Sequence, residues 1–386
     1  MTYYDIRYQN INILKMSNKT KKYISIVGLI VILVLVFVSM NRNQNSGSEP
    51  KTIKIGVIAS MTGAYSNVGE NSKKGIDLAV SEVNKKGGVL GRPIEVVYKE
   101  YPGEDQKVAV SAFYELNSSG INLIIGPSLT TTGSALAPLA VPNNSLLISP
   151  AIGSEKFAEA NENTFSVWPP DKAGVSKLAE FVFEKGLRRV AVIGSQQEWE
   201  RQMAVYFKED FEKLGETITD IELPLMTDKD LRTQSIKIKE SNPEAVIFTN
   251  YGETSYAAKR IREVGIESPF FSVLLDEEGI KNANGTLEGT IYVTSYTPTP
   301  EFVSAYKGYY NTEPQFPADT SYDSVMVLAK AIEKAKSTDT AKVTESLSEI
   351  SSFSGASGVF GFDASGAAVK TPAYYIVKNG KSELYK

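Results

Sequence analysis

Two short turns hold most of the chemistry that this sequence offers. Gly126-Pro127-Ser128-Leu129-Thr130-Thr131-Thr132-Gly133 follows an apolar strand signal and leads into a helical stripe through Leu136 to Ala140. Hydroxyls at a helix start, beside unpaired backbone N–H groups and the positive end of the helix dipole, suit a carboxylate or another small anion. The same threonines would serve equally well as ordinary N-caps with no ligand. Ser149-Pro150-Ala151-Ile152-Gly153-Ser154 is a second polar turn behind another strand signal. Neither turn contains Lys or Arg, so an anion bound there would rest on hydroxyl and amide donors. Other candidates follow other strand signals. Tyr65 closes the stretch Ser60 to Tyr65, which otherwise reads as a plain strand-to-helix loop. Trp199 lies among Gln196, Gln197, Glu198 and Glu200, as a lid, a stacking group or an apolar plug. Tyr251 is a candidate wall residue or a turn aromatic, and Asp276-Glu277-Glu278 an acidic cluster or a solvated loop.

What is missing narrows the function. The chain has no Cys and no His. That removes disulfides, thiol nucleophiles, Ser-His-Asp chemistry, the usual zinc sites and lipid attachment through cysteine. No GxxxxGK[ST] or post-strand GxGxxG phosphate fingerprint is present, and no cofactor is expected. With 41 Lys+Arg against 45 Asp+Glu the net charge is -4, which argues against nucleic acid as a partner. Binding is favoured over catalysis. The 386 residues, 42% of them hydrophobic, are ample for a packed core and suggest two domains.

The elements that must position these turns alternate. Strand signals at 53–58, 94–98, 121–125 and 146–149 interleave with helical stripes at Ile76 to Val83 and Val108 to Leu116. After Pro169-Pro170 the alternation restarts, with strands at 190–193, 218–223 and 245–249 and helices between them. Such βαβα order predicts parallel sheets covered by helices, here an α/β chain of two doubly wound lobes. Ligands then sit beyond the carboxyl ends of the strands, where the turns above fall.

Ahead of the lobes, Ile24 to Met40 is a run of 17 uncharged residues, preceded by Arg7, Lys15, Lys19, Lys21 and Lys22. Its length nearly spans a bilayer core, and the positive-inside rule places residues 1–23 in the cytoplasm and the rest outside. A cleaved signal peptide would want small residues before the cut, and Phe37 stands in one of the two positions. The expectation is therefore a single-pass signal anchor at 24–40, a polar linker at 41–50, and an extracytoplasmic remainder.

Taken together, these stretches resemble the extracytoplasmic solute-binding proteins of the leucine/isoleucine/valine type, with the type I periplasmic-binding-protein fold. IKIGVIASMTGAYSNVGENSKKGIDLAVSEVNKKGGVLGRPIEVV, IIGPSLTTTGSALAPLA, LLISPA, TSYDSVMVLAKAIEKA and GVFGFDASGAAV carry the resemblance, which covers nearly all of 51–386. It implies Rossmann-like lobes joined by three crossovers near Asp171, Thr297 and Thr371. Lobe one would be 51–170 plus 297–370, and lobe two 171–296 plus 371–386. It implies that Thr130 takes the ligand carboxylate and the Ala151 carbonyl its ammonium. Gly153 stands where the family often has a hydroxyl, with Ser154 as a substitute. Trp199 and Tyr251 would cover the ligand from lobe two, and Tyr322 would line the cleft from lobe one. The family's ammonium-binding acid is missing after Phe270-Phe271, where Ser272-Val273-Leu274-Leu275 stands and Asp276 comes late.

The implied function is a membrane-tethered receptor that delivers an amino acid or related carboxylate to an ABC-type permease. A sensor signalling through a separate partner is the alternative, and less readily a hydrolase such as an amidase, which would need a carboxylate pair or Lys in the cleft. The anchor makes an early prediction: the mature protein retains 24–40 and needs detergent for extraction. A mature N-terminus near Asn41, read by terminal sequencing, would refute it.

Overall fold

A computed structural model describes residues 52–228 and 230–386, with Gly28 alone ahead of them. The cytoplasmic stretch 1–23, the linker 41–50 and all of the expected anchor but Gly28 lie outside the described residues. Among the described residues no helix is long and apolar enough to cross a membrane.

The chain runs β1 (Ile53–Thr62), α1 (Ser66–Lys85), β2 (Ile94–Pro102), α2 (Gln106–Ser118), β3 (Leu123–Ile125), α3 (Thr130–Leu136), β4 (Leu146–Ser149), α4 (Glu155–Ala158) and β5 (Thr164–Ser166). These strands form a parallel sheet in the order β2-β1-β3-β4-β5. A second lobe follows with α5 (Asp171–Glu184), β6 (Arg189–Ile193), α6 (Glu198–Lys213), β7 (Thr217–Glu222), α7 (Arg232–Glu240), β8 (Ala245–Phe248), α8 (Thr254–Glu263), β9 (Phe270–Ser272), α9 (Glu277–Asn282) and β10 (Ile291–Thr294). The chain then returns to the first lobe for α10 (Pro300–Tyr310), α11 (Ala318–Ala335), α12 (Thr340–Ser348) and a small antiparallel sheet of β11 (Phe353–Gly355), β12 (Gly358–Phe362) and β13 (Ala368–Val369). It ends in the second lobe with β14 (Ala373–Lys378) and β15 (Lys381–Leu384). Three crossovers, at 167–170, 295–299 and 370–372, therefore join the lobes. Lys370 on the third donates to the Ser295 carbonyl on the second at 2.7 Å, which ties two of them together.

Period-two alternation explains why both sheet faces are covered. In lobe one, Leu123, Ile125, Leu146 and Ile148 face α1 and α11, while Ile124 and Leu147 face α2. In lobe two, Val190, Val192 and Ile247 pack against α5 and α6, while Ala191, Val246 and Phe248 pack against α8. Each such side chain contributes roughly 1.5–3 kcal/mol by leaving water.

The second sheet, β15-β14-β10-β9-β8-β6-β7, is mixed rather than wholly parallel. The strand β14 arrives from the other lobe without a covering helix and pairs antiparallel with β10. An Asn379-Gly380 turn with φ of 53° and 68° then folds β15 back on it as a hairpin.

Phe207 on α6 is wholly buried and stacks on Phe211 at 5.4 Å, whereas Val205 two residues earlier is 37% exposed. Phe207→Ala should therefore cost about 3–5 kcal/mol of stability. Val205→Ala should change it by no more than about 0.5 kcal/mol, both read from chemical denaturation.

Candidate ligand-binding site

A cavity of about 50 Å³, measured as the space open to the centre of a water molecule, lies between the carboxyl ends of the two sheets. Widened by a water radius, a rounded space of this size becomes about 200 Å³, several times the volume of one water. Its walls are mainly apolar and aromatic.

Lobe one supplies the turns after β1, β3 and β4. Tyr65 stands at the N-cap of α1, and its hydroxyl donates to Met226 Sδ of lobe two at 3.0 Å. Ser128, Leu129 and Thr130 come from the turn between β3 and α3, and Ala151 from the turn after β4. Gly126 opens the β3–α3 turn at φ of 106°, and a Cβ there would stand 2.3 Å from the Ile58 carbonyl oxygen. Only glycine therefore fits where this turn leaves the sheet. The N-cap of α3 is Leu129, which offers no side-chain cap. Thr130 is thus the first helical residue rather than a cap, and the leading N–H groups of α3 have no cap side chain. No threonine side chain therefore caps α3.

Lobe two supplies Gln197, Trp199 and Glu200 at the start of α6, with Tyr251 after β8 and Leu274 after β9. Contacts join the two lips. Gln197 Nε2 and the Thr131 hydroxyl both donate to Glu104 Oε1, at 2.7 and 2.6 Å. The Ser134 hydroxyl donates to Glu198 Oε1 at 3.2 Å. The described conformation is closed.

Between the lips sits Asp171, the first residue of α5. Trp168 Nε1 donates to its Oδ1 and Trp199 Nε1 to its Oδ2, both at 2.7 Å. Both indoles line the cavity, Trp168 from the first crossover and Trp199 from lobe two. Burial pushes the Asp171 carboxyl up to about 6, and the two indole N–H groups oppose the rise. A Cβ at Gly153 would lie 2.1 Å from Asp171 Oδ2, so this glycine makes room for the carboxylate. Glu200, also buried, is pushed up to about 8 by burial.

The described part of the chain matches the profile of the family described as "Periplasmic binding protein" over residues 52–381. The chain belongs to that family. It is 28% identical to a Leu/Ile/Val-binding protein homologue of Brucella melitensis over 349 residues, covering 84% of this chain and 91% of the relative. Its structure is similar to a leucine-binding protein of Thermotoga maritima (TM-score 0.80, 28% identity, 87% of this chain and 98% of that one). It is similar also to a branched-chain amino acid transporter substrate-binding protein of Streptococcus pneumoniae in complex with isoleucine (TM-score 0.79, 26% identity, 86% and 98%).

Of the residues singled out from the sequence of this periplasmic binding protein, Thr130, Ala151, Trp199, Tyr251 and Tyr65 line the cavity. Four do not. Tyr322 points the other way: its hydroxyl donates to Glu82 at 2.7 Å and its ring packs on Phe302, because its phase on α11 faces α1 and α10. Asp276 caps α9 through the Gly279 N–H and accepts the Tyr251 hydroxyl at 2.7 Å, so it orients a wall residue from behind. Gly153 is covered by Asp171, and Ser154 stands at the start of α4, outside the wall. Asp171, Glu200, Trp168 and Phe316 were not singled out as wall residues. Trp168 and Asp171 bracket the Pro169-Pro170 pair that marks the lobe boundary, and that adjacency was their one local signal. The structure also brings two carboxyls, Asp171 and Glu200, into the cavity wall.

The chain has two tryptophans, and both donate to Asp171. Protonating that carboxylate weakens both hydrogen bonds. Tryptophan fluorescence should therefore titrate with a midpoint near pH 6, and Asp171→Asn should abolish that transition while the far-ultraviolet dichroism stays native.

Proposed function

We propose that this chain is the extracytoplasmic receptor of an ABC-type importer, capturing a branched-chain amino acid or a closely related small carboxylate between its lobes. We further propose that residues 24–40 tether it to the membrane beside its permease. The observation that carries the reading is the interlobe cavity, with an aliphatic and aromatic wall on one side and the uncapped Thr130 turn on another. A small cavity between aliphatic and aromatic walls suits a ligand of the size of an aliphatic amino acid. The relatives named above bind leucine, isoleucine or valine by name, and one of them holds isoleucine.

The mechanism follows from where the wall residues sit. The carboxylate would rest against Thr130 and the first N–H groups of α3, on lobe one. Trp199, Tyr251 and Leu274 would cover the aliphatic side chain from lobe two. A ligand touching both lobes favours the closed state over the open one by the sum of its lobe-two contacts. The Gln197–Glu104 and Ser134–Glu198 contacts then hold the closed lips together. A permease presented with the closed form meets two lobe surfaces at a fixed spacing, which the open form does not offer.

Calorimetric titration with leucine, isoleucine and valine tests the reading. Binding should be accompanied by a smaller radius of gyration in solution scattering. Thr130→Ala removes a hydroxyl donor to a charged group, worth roughly 1.5–3 kcal/mol, so affinity should fall about ten- to hundredfold. A folded Thr130→Ala protein that binds as tightly as the wild type would refute the carboxylate turn.

A further inference from the structure

Glu200 lies in the first turn of α6 and is 1% exposed. Its Oε1 accepts the Tyr251 backbone N–H at 2.9 Å. Its Oε2 is buried and makes no hydrogen bond of normal length, the Ser195 hydroxyl being the protein donor beside the carboxyl, in a residue that lines the cavity. Five aromatic rings, from Tyr65, Trp168, Trp199, Tyr251 and Phe316, share that wall, and no Lys or Arg does. A buried carboxylate oxygen without a donor is costly, and such atoms are rare in folded proteins. Protonated, the carboxyl is neutral and can itself donate; ionised, its Oε2 calls for a donor, and a cationic one offsets the buried charge.

We propose that Glu200 Oε2 is the acceptor for the ammonium group of the ligand, so that the site selects α-amino acids over the corresponding carboxylates lacking the amine. The assignment rests on the transport reading above and adds the determinant of the amino end. It also accounts for the loop after β9, where Val273, Leu274 and Leu275 are buried and apolar. The acid comes from α6 instead. Other acids nearby are already engaged. Both Asp171 oxygens hold indole N–H groups, Asp276 holds Gly279 and Tyr251, and Glu104 Oε1 holds Thr131 and Gln197.

A consequence is a proton. Burial raises the Glu200 carboxyl to about 8, Glu253 after β8 and Glu104 after β2 add to the rise, and the Ser195 hydroxyl and Tyr251 N–H oppose it. The Tyr65 phenol faces it from α1, held neutral by its own raised pKa, and Asp171 titrates lower. At neutral pH most of the ligand-free closed form is therefore protonated at Glu200. Ammonium binding requires the carboxylate and expels that proton. Affinity for an amino acid should rise as pH goes from about 6 to about 8 and level off above, where the carboxyl is already ionised.

The test compares leucine with 4-methylpentanoate, the same skeleton without the amine, by calorimetry on the full chain in buffers of differing ionisation heat. Wild-type protein should prefer leucine and release a proton at about pH 7. Glu200→Gln should bind leucine about ten- to hundredfold more weakly, keep its affinity for 4-methylpentanoate, and release no proton. Undiminished leucine binding by Glu200→Gln overturns the assignment and leaves the transport reading standing. Wild-type protein that binds no branched-chain amino acid overturns the transport reading itself, and this assignment with it. Should Glu200→Gln fail to fold, the wild type decides alone: leucine binding without proton release near pH 7 overturns the proposal.

Discussion

The structure turns on the burial of one carboxylate. Asp171 stands where the chain first leaves one lobe for the other, and it is held by one indole from the crossover itself and one from lobe two. A carboxylate removed from water needs donors of good geometry, and here two indole N–H groups at 2.7 Å supply them. The demand fixes much else. Trp168 and Trp199 must turn their faces into the cavity to present their N–H edges to Asp171. Gly153 must lack a side chain to leave the space. The first crossover is thereby more than a linker, since it sets the position of two cavity walls relative to both sheets.

Around that node the site divides its tasks between rigid and movable parts. Strand ends in each lobe fix Thr130, Ala151 and Tyr251 on packed scaffolds. The start of α6 does three things at once: Gln197 caps the helix and reaches Glu104, Trp199 reaches Asp171, and Glu200 receives the Tyr251 N–H. A helix start whose consecutive residues address the other lobe, the hinge and the cavity couples closure to occupancy. That is the behaviour required of a receptor whose partner must distinguish loaded from empty.

The cavity wall combines the hydroxyls of the β3–α3 turn, the buried acids Asp171 and Glu200, and five aromatic rings. Burial is the main cause that raises both carboxyl pKa values, and neighbouring acids, Glu253 and Glu104, add to the rise at Glu200 alone.

Much of this was written in local pattern. The alternation of apolar runs and helical stripes reports faces buried on both sides, which is a property of each segment alone, and it yielded two α/β lobes with the ligand turns at the strand ends. β3 and β4 stood out as continuous apolar runs, whereas β5, β9 and β10, no longer than these, are interrupted or ended by Thr164, Ser166, Ser272 and Thr294 and were not marked. Thr130 and Ala151 could be placed because they lie in turns of distinctive composition. The direction of Tyr322 depends on its phase on α11 against α1, so its type and position could not reveal that it faces away from the cleft. Asp171 and Glu200 read in the sequence as ordinary solvated acids, because nothing local distinguishes a buried carboxylate from an exposed one. Asp171 is buried where the lobes meet, under Trp168 and Trp199, and Glu200 where Tyr251 of its own lobe donates to it, in each case through residues far apart in the chain. Segment chemistry chose the fold, and tertiary packing within and between the lobes chose which acids line the cavity.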